Sequence, residues 1–313
     1  MRVLVAVLVA ATSSCAPVIA LGGERGRANL SVDADDDGTV FIERRPSRGA
    51  NRGREPSVLV MLHGFGGSKD HWTRFCAQMP SDVWLIAPDL PGFGESPKDS
   101  GLSYDLRAQS ARLERFLALH NITKFHLVGN SMGGELAALY ASTHPRQVQS
   151  LVLFDPSGIP SPTPSAMDKL TAKGLHPLIV KSAADFDQLL RLSFATPPDI
   201  PDSIKEYFAE RSAQNAAMEE KIKADISAKP AHVADVIATV KAPTLVVWGG
   251  EDQILDPSVI PLWRAAVPGH LVAVMRETGH GPQIERPAEA AALVLVWWHQ
   301  HGFELPVPAP ASE

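Results

Sequence analysis

The chain of 313 residues lacks three features that would each indicate a particular class of protein. It has two cysteines, Cys15 and Cys76, so a fold held by several disulfides is excluded and Cys76 is expected to be a buried structural thiol. Basic residues are not in excess: 29 Lys and Arg stand against 35 Asp and Glu, which argues against a nucleic-acid partner. The longest N-terminal apolar run falls short of the roughly 20 residues that span a bilayer.

Residues 1–20 are typical of a targeting segment that does not belong to the fold. Arg2 precedes the apolar run 3–11, and small residues follow it. Val18-Ile19-Ala20 resembles a signal-peptidase site, whereas Thr12-Ser13-Ser14-Cys15 resembles a bacterial lipoprotein box with Thr12 in place of the usual leucine. Both cleavages remain open, as does an uncleaved anchor. The sequence therefore predicts a bacterial protein that is exported: periplasmic, secreted or held at the membrane by this segment or by a lipidated Cys15.

The remainder of the chain has the composition of a globular protein, with 45% hydrophobic and 20% charged residues. Apolar runs typical of buried strands alternate with helical patterns such as Leu106–Leu119 and Glu135–Ser142, which predicts a mostly parallel sheet covered by helices on both faces. Thr39–Ile42 is predicted to be an edge strand. The six further predicted strands are Val58–Leu62, Val83–Ala87, Phe125–Val128, Leu151–Phe154, Thr244–Trp248 and Leu271–Met275.

The alternation stops between Asp155 and Val240, where four closely spaced prolines open a segment that reads as helical over Ser203–Ile226. We interpret residues 156–240 as a helical cap inserted between two strands, above the strand ends at which α/β proteins place their active sites. The predicted core then comprises residues 28–155 and 241–303, and a Pro-rich tail occupies residues 304–313.

A Gly-Asn-Ser-Met-Gly pentapeptide at residues 129–133 follows a predicted strand and precedes a predicted helix. A Gly-x-Ser-x-Gly turn in this setting forces its serine into a strained conformation and exposes the hydroxyl at the end of the sheet. Ser131 is therefore the candidate nucleophile of an enzyme that forms an acyl-serine intermediate.

The candidate acid and base lie downstream of the cap, each directly after a predicted strand. Asp252 follows Thr244–Trp248, and His280 follows Leu271–Met275 within a Gly-flanked loop. Asp256 is a competing carboxylate, and Glu251 and Glu277 are weaker candidates. The chain order Ser, Asp, His is the order found in α/β-hydrolases.

Glycines after the first core strand allow the backbone of Leu62-His63-Gly64-Phe65-Gly66-Gly67 to expose N–H groups. The backbone N–H groups of Phe65 and Met132 are the candidate oxyanion hole. His63 is expected to be a structural hydrogen-bonding residue, and Asp89 is expected to organise a neighbouring loop.

Four segments resemble the α/β-hydrolase superfamily, and among its members bacterial serine lipases and esterases similar to monoacylglycerol lipase. They are HGFGGSKDHW (63–72), PDLPGFGES (88–96), GNSMGG (129–134) and VWGGEDQ (247–253). The resemblance implies an α/β-hydrolase fold, an ester or acylglycerol substrate, and neither a cofactor nor a metal. It also implies a Ser131–His280–Asp252 triad with Phe65 and Met132 as oxyanion donors.

The same residues discriminate among the other functions that this fold can support. Epoxide hydrolases and haloalkane dehalogenases use an aspartate nucleophile, which Ser131 replaces. Carbon–carbon hydrolases of the meta-cleavage type share the triad and the cap, so they remain the alternative; a binding module without activity would typically lack the histidine or the acid. The apolar cap residues either line an acyl pocket or pack on the core: Leu175, Leu178, Ile179, Val180, Leu189, Leu190, Leu192 and Phe194.

Overall fold

A computed structural model describes residues 24–26, 28–47, 55–231, 233–267 and 271–303. The predicted targeting segment, with both candidate cleavage sites, and the predicted tail 304–313 lie outside these ranges. Among the described residues, no helix combines the length and the apolar character needed to cross a membrane.

The centre of the molecule is an eight-stranded sheet with the order β1-β2-β4-β3-β5-β6-β7-β8. β1 and β2 are antiparallel to their neighbours, whereas every pair from β4–β3 to β7–β8 is parallel. The mostly parallel sheet that the sequence predicted is thus confirmed. The strands are β1 Ser31–Ala34, β2 Val40–Arg44, β3 Val58–Leu62, β4 Trp84–Pro88, β5 Phe125–Asn130, β6 Val148–Phe154, β7 Thr244–Gly249 and β8 Leu271–Met275.

Helices cover both faces of this sheet, because the central strands are apolar at successive positions and present a buried side chain to each face. In β3, Val60 and Leu62 belong to one hydrophobic cluster, whereas Leu59 and Met61 belong to the other. The helices are α1 Thr73–Cys76, α2 Leu106–Leu119, α3 Met132–Thr143, α4 Ala166–Thr171, α5 Ala183–Ser193, α6 Asp202–Ala213, α7 Ala216–Ala228, α8 Val233–Ile237, α9 Ile260–Ala266, α10 Pro282–Glu285 and α11 Pro287–Gln300.

The predicted edge strand is wrong in its position, although a strand does form at Val40–Arg44. β1 pairs with β2 from Ser31↔Glu43 to Ala34↔Val40 and therefore lies at the edge. All four residues of β1 are exposed. Its four residues, Ser-Val-Asp-Ala, are too few and too weakly apolar to mark a strand by pattern alone.

Helices α4 to α8 lie in the segment 156–240, between β6 and β7 in the chain, and we refer to this segment as the cap segment. The single helical stretch predicted over Ser203–Ile226 is two helices, α6 and α7, with a break at Gln214 and Asn215. Polar contacts join the segment to the core: the Tyr104 N–H donates to Asp225 at 2.8 Å, and the Lys229 ammonium donates to Asp105 at 3.2 Å.

Cys76 is the buried thiol that was predicted, at the end of α1. Burial raises the pKa of this thiol to about 12, so it stays protonated at neutral pH and is a poor nucleophile. Nearby, the Arg44 guanidinium donates to the carbonyl oxygens of Cys76, Met79 and Pro80, which ties β2 to the end of α1.

Candidate active site

Ser131 occupies the sharp turn between β5, which ends at Asn130, and α3, which begins at Met132. Its φ of 55° and ψ of −121° lie in a region that residues other than glycine rarely adopt, at a cost of about 1–3 kcal/mol. The Ser131 N–H donates to the Phe154 carbonyl oxygen at 3.0 Å, so the strained turn is fastened to β6. The serine itself is half-buried. A strained serine at the end of a buried strand is the arrangement that the pentapeptide predicted.

Gly133 allows α3 to approach β3 closely just after the turn. A Cβ atom at this position would lie 2.3 Å from the Leu62 carbonyl oxygen and 2.5 Å from that of His63. No side chain can be accommodated at such distances without moving backbone. The glycine therefore lets the Met132 amide lie beside the loop that follows β3.

His280 and Asp252 form a buried pair, in which His280 Nδ1 lies 2.7 Å from Asp252 Oδ2. The carboxylate is itself held in place, because Asp252 Oδ1 accepts hydrogen bonds from the N–H groups of Ile254 at 2.8 Å and Leu255 at 2.9 Å. His280 is 8% exposed and Asp252 is 4% exposed. An ionised Asp252 requires the proton on Nδ1, which leaves Nε2 as the basic nitrogen of the imidazole.

The competing carboxylates do not contact His280 and have other partners or are exposed. Asp256 caps the 3₁₀ turn Pro257–Val259 by accepting from the Ser258 N–H at 2.9 Å. Glu251 is exposed, and Glu277 is an exposed partner of Arg286 at 3.0 Å. Of the four candidates, Asp252 is the one that contacts His280.

The loops that carry the acid and the base touch one another at Gly249. A Cβ atom there would lie 1.8 Å from the Gly279 carbonyl oxygen, so the contact requires glycine. The Glu251 N–H donates to the Thr278 carbonyl oxygen at 2.9 Å, which fastens the two loops directly beyond this contact. Their joining brings residues that are 28 positions apart within hydrogen-bonding distance.

Asn130 connects the serine turn to the histidine loop. Its side-chain amide donates to the carbonyl oxygens of Phe154 and His280, each at 3.1 Å. Within the described ranges, the Ser131 hydroxyl makes no hydrogen bond, either to His280 or to another group. The hydroxyl is thus not committed to a structural partner, and the contact between nucleophile and base commonly tightens only when substrate is bound.

The two candidate oxyanion donors lie beside Ser131. A Cβ atom at Gly64 would be 3.1 Å from the Ser131 Cβ, which shows how closely the loop after β3 approaches the serine. Within the described part of the chain, the backbone N–H groups of Phe65 and Met132 have no hydrogen-bond acceptor. Two unengaged amides on either side of a serine hydroxyl can stabilise an alkoxide that develops there.

His63 and Asp89 hold the loop after β3 and its neighbour in place through hydrogen bonds. His63 is buried; its Nδ1 donates to the Gly64 carbonyl oxygen at 2.8 Å, and its Nε2 accepts from the Leu90 N–H at 2.9 Å. Burial lowers the His63 pKa to about 4, so the ring is neutral at neutral pH. Asp89 accepts from Lys69 and from the Glu95 N–H, so both side chains have the structural roles that were expected of them.

Glu285 is a residue of the site that the sequence analysis missed. Its carboxylate accepts from the Gly279 N–H at 2.7 Å and from the N–H groups of Ala195 at 3.3 Å and Thr196 at 3.0 Å. The His280 N–H in turn donates to the Ser193 carbonyl oxygen at 2.8 Å. The histidine loop and the cap segment are thus joined by the Glu285 carboxylate and by one direct backbone hydrogen bond. No motif in the sequence marks Glu285, which lies in a short helical turn, as a residue of the site.

A second missed residue, Asp155, directly follows β6 and lies beside the His280–Asp252 pair. Asp155, Asp252 and His280 each offer one atom of a set that lies within 4.8 Å of one another, a spacing that would suit a metal ion. Their hydrogen bonds argue otherwise, because both Asp252 oxygens and one Asp155 oxygen already accept from N–H groups. These oxygens are already engaged as hydrogen-bond acceptors, and we assign no metal to the group. The sequence feature that could have identified Asp155 is an acidic residue directly after a predicted strand.

A cavity of about 190 Å³ opens beside Phe65 and is bounded by the cap segment. Leu178 and Ile179 line it, together with polar residues such as His176 and Lys223. Val180 and Leu192 are buried, whereas Leu175 is 47% exposed. The apolar cap residues are therefore divided between the cavity, the packed interior and the surface.

Comparison with known proteins gives the same family as the geometry. The profile of the alpha/beta hydrolase fold family matches residues 57–287. Lipase 1 of Psychrobacter immobilis is 36% identical over 275 residues, covering 86% of this chain and 84% of the relative. The monoacylglycerol lipase abhd6-B of Xenopus laevis is 31% identical, covering 77% and 75%. The crystal structure of a membrane phospholipase A, described as a bacterial virulence factor, superimposes with a TM-score of 0.83 at 33% identity, covering 91% and 92%.

The chain therefore belongs to the alpha/beta hydrolase fold family. The resemblance to lipases and monoacylglycerol lipases that the four sequence segments indicated is confirmed by these relatives.

Proposed function

We propose that this protein is a serine hydrolase that cleaves carboxylic esters, with Ser131 as nucleophile, His280 as general base and Asp252 as the acid that orients it. The observation that carries the proposal is the strained Ser131 turn beside the buried His280–Asp252 pair, whose atoms lie 2.7 Å apart. Strain at a serine is costly, and it persists in proteins where function requires it.

In the first half of the reaction, His280 Nε2 removes the proton from the Ser131 hydroxyl while Oγ attacks the ester carbonyl carbon. Asp252 holds Nδ1 protonated and stabilises the imidazolium that forms. The carbonyl oxygen gains negative charge and is stabilised by the N–H groups of Phe65 and Met132, where the loss of one donor costs about 3 kcal/mol. The imidazolium then protonates the leaving alcohol, and an acyl-Ser131 remains.

In the second half, a water molecule enters where the alcohol left. His280 accepts one proton of this water as its oxygen attacks the acyl carbonyl carbon, and the same amides stabilise the second tetrahedral intermediate. Collapse returns the proton to Ser131 Oγ and releases the carboxylic acid. The cycle uses groups of this chain and water.

The substrate class is an ester or an acylglycerol, and the cap segment supplies its selectivity. The cavity beside Phe65 adjoins the oxyanion loop, and Leu178 and Ile179 give it an apolar wall. An acyl or alcohol group can bind against that wall while its carbonyl oxygen faces the two amides. The lipase and monoacylglycerol lipase relatives support this class of substrate.

Carbon–carbon bond hydrolysis of the meta-cleavage type is the weaker candidate, since the sequence relatives described above are named lipases. A binding role without chemistry is weaker still. It would not require a serine held at a φ of 55° or an imidazole oriented by a buried carboxylate.

The test is the hydrolysis of p-nitrophenyl esters from acetate to palmitate, with a monoacylglycerol alongside. The variant Ser131→Ala should lose activity by about 10⁶-fold, as removal of a triad serine does. Ser142→Ala is the matched control, because Ser142 lies in α3, the helix that begins directly after Ser131, and donates to the Leu139 carbonyl oxygen. Equal inactivity of the wild-type protein and Ser131→Ala on every ester would contradict the proposal.

Export remains part of the proposal, with the N-terminal segment as its basis. Cleavage after Ala20 would release a soluble chain, whereas cleavage before Cys15 would leave a lipidated cysteine that associates with the membrane. The mass of the mature N-terminus distinguishes the two. A Cys15→Ser variant would change that mass and the membrane association in the second case and leave both unaltered in the first.

A further inference from the structure

Asp155 is a fully buried carboxyl group for which the ester hydrolysis described above has no use. It follows β6 directly and has a φ of 42°, so it is strained, like Ser131. Its Oδ1 accepts from the Gly249 N–H at 2.7 Å, which holds the ends of β6 and β7 together. Its Oδ2 is buried and has no hydrogen-bond partner among the described residues. The hydrogen bond from Gly249 accounts for the position of Oδ1, whereas no contact within the described ranges accounts for the burial of Oδ2.

The unexplained oxygen belongs to a group that lies beside the catalytic pair. Asp155, Asp252 and His280 contribute polar atoms that are all within 4.8 Å of one another. Asp155 and Asp252 come from the ends of neighbouring strands, which pair in parallel from Leu151↔Thr244 to Phe154↔Val247. Two carboxyl groups therefore approach one imidazole from adjacent strands, and Asp252 is the one bonded to it.

The two carboxyl groups differ in their surroundings. Asp252 accepts two backbone N–H bonds and the imidazole N–H, three interactions that stabilise its ionised form. The Asp155 side chain accepts one N–H bond and is fully buried, and burial together with the charge of Asp252 raises its pKa well above the usual range. Glu285 acts on Asp155 in the same direction. The surroundings of Asp155 thus disfavour its ionised form, whereas the hydrogen bonds that Asp252 accepts favour a carboxylate.

We propose that Asp155 is a second acid for His280: it lies beside the His280–Asp252 pair with one oxygen unpartnered among the described residues, and it can take over the imidazole when Asp252 is removed. This inference rests on the proposed roles of Ser131, His280 and Asp252. Removal of the Asp252 carboxylate also removes the charge that helps to keep Asp155 protonated. The remaining carboxyl group can then ionise and accept the His280 Nδ1 proton.

This role predicts an unusual order among substitutions at residue 252. Asp252→Asn fills the same space and offers the imidazole a neutral amide, so the wrong tautomer is favoured and kcat/KM should fall by about 10⁴-fold. Asp252→Ala removes more of the side chain, yet it gives His280 access to Asp155. The kcat/KM of Asp252→Ala should therefore fall by about 10²-fold. The larger truncation is expected to be the milder change.

The decisive experiment compares the wild-type protein, Asp155→Asn, Asp252→Ala and the double variant Asp155→Asn/Asp252→Ala in ester hydrolysis. Asp155→Asn alone is the reference for the double variant, because its amide oxygen can still accept from the Gly249 N–H while Asp252 continues to orient His280. The double variant should fall to the level of Asp252→Asn. Equal activities of Asp252→Ala and the double variant would overturn the inference. Asp252→Ser replaces Asp252→Ala if the alanine variant fails to fold.

A second readout does not depend on turnover. An imidazole N–H that is bonded to a buried carboxylate gives a proton resonance at very low field. This resonance should persist in Asp252→Ala and disappear in the double variant, whereas its absence from both would overturn the inference. A wild-type protein that hydrolyses no ester would contradict the proposed function, and the resonance would still test the role of Asp155.

Discussion

The central sheet and the cap segment are built in opposite ways. β3, β5 and β7 are buried at every position. In the cap segment, α4 buries none of its residues, α5 buries Leu192 alone and α6 buries Ala209 alone. Since burial of apolar surface is the main source of stability, the sheet should unfold as one cooperative unit, whereas cap helices open at lower cost.

This difference explains where the two tasks of an ester hydrolase are placed. Chemistry needs fixed geometry, and the proposed residues lie beyond the ends of sheet strands: Ser131 and Asp252 come after strands that are buried throughout, and His280 lies in the loop after β8. Selectivity needs a surface that can adapt, and the wall formed by Leu178 and Ile179 lies in the less buried segment. Polar contacts join the two regions, and a few buried apolar residues of the cap segment, such as Ile222 and Val233, also pack into the hydrophobic cluster of the core.

The largest expected effect comes from breaking the close packing of the core. In Gly133→Ala, the new methyl group would meet the Leu62 carbonyl oxygen at 2.3 Å, so backbone must move and the free energy of unfolding should fall by about 3 kcal/mol or more. In the cap segment, Gly174→Ala meets nothing within 4 Å and should lose about 1 kcal/mol from its φ of +81°. Urea denaturation measures both. Equal losses would contradict the difference between the regions.

The next effect tests the carboxylate that joins the regions. Glu285→Ala removes the acceptor for the N–H groups of Gly279, Ala195 and Thr196, so the histidine loop loses its anchor and kcat should fall by about 10–100-fold. Glu289→Ala is the control, since Glu289 is exposed and pairs with Arg286. Steady-state kinetics separates kcat from KM. An unchanged kcat in a folded Glu285→Ala would show that the anchor is dispensable.

A smaller effect concerns a buried acid in the cap segment. Glu219 on α7 is 6% exposed, and burial raises its pKa from 4.5 to about 7. The native state therefore binds this proton more tightly than the unfolded state does, and stability falls as pH rises from 4.5 to 7. Glu219→Gln should remove this fall and gain about 1–2 kcal/mol over wild type at pH 8.

The measurement is the free energy of unfolding of wild type and Glu219→Gln at pH 5 and at pH 8. The difference between the two proteins should be small at pH 5 and grow toward pH 8. A difference that does not change with pH would mean that Glu219 titrates normally in the folded protein.

The smallest effect is a change of chain-length preference. Leu178→Ala enlarges the cavity beside Phe65 and should shift the preferred p-nitrophenyl ester toward longer acyl chains, with rates changed by a few-fold. Leu175→Ala makes the same substitution at a residue that is 47% exposed, and its preference should match the wild type. If both variants keep the wild-type preference, the cavity does not receive the acyl chain.

The sequence predicted the elements whose signal is local. α2 and β8 have the predicted bounds, because an apolar pattern of the right period runs through each and Asp105 caps α2 by accepting from the Arg107 and Ala108 N–H groups. Ser131 and the loops that carry Asp252 and His280 could be found from motifs, since glycine is needed wherever a loop makes a close contact.

The missed features depend on contacts between distant residues. β1 is defined by its pairing with β2, and its own side chains are exposed. Asn130 and Glu285 are ordinary polar residues in the sequence, and Asp155 is marked only by its position directly after a predicted strand. Their places beside His280 follow only once β5, β6 and β7 are side by side. A local pattern carries no information about such contacts.

The central claim is that the strained serine of the core carries out the chemistry, and a fluorophosphonate tests it most directly. Ser131 Oγ would attack phosphorus and displace fluoride, leaving a phosphonyl group on the protein. The account predicts one label per chain, located on Ser131 by peptide mass spectrometry, with ester hydrolysis lost in proportion to labelling. A label on another residue, or hydrolysis that survives complete labelling of Ser131, would contradict it.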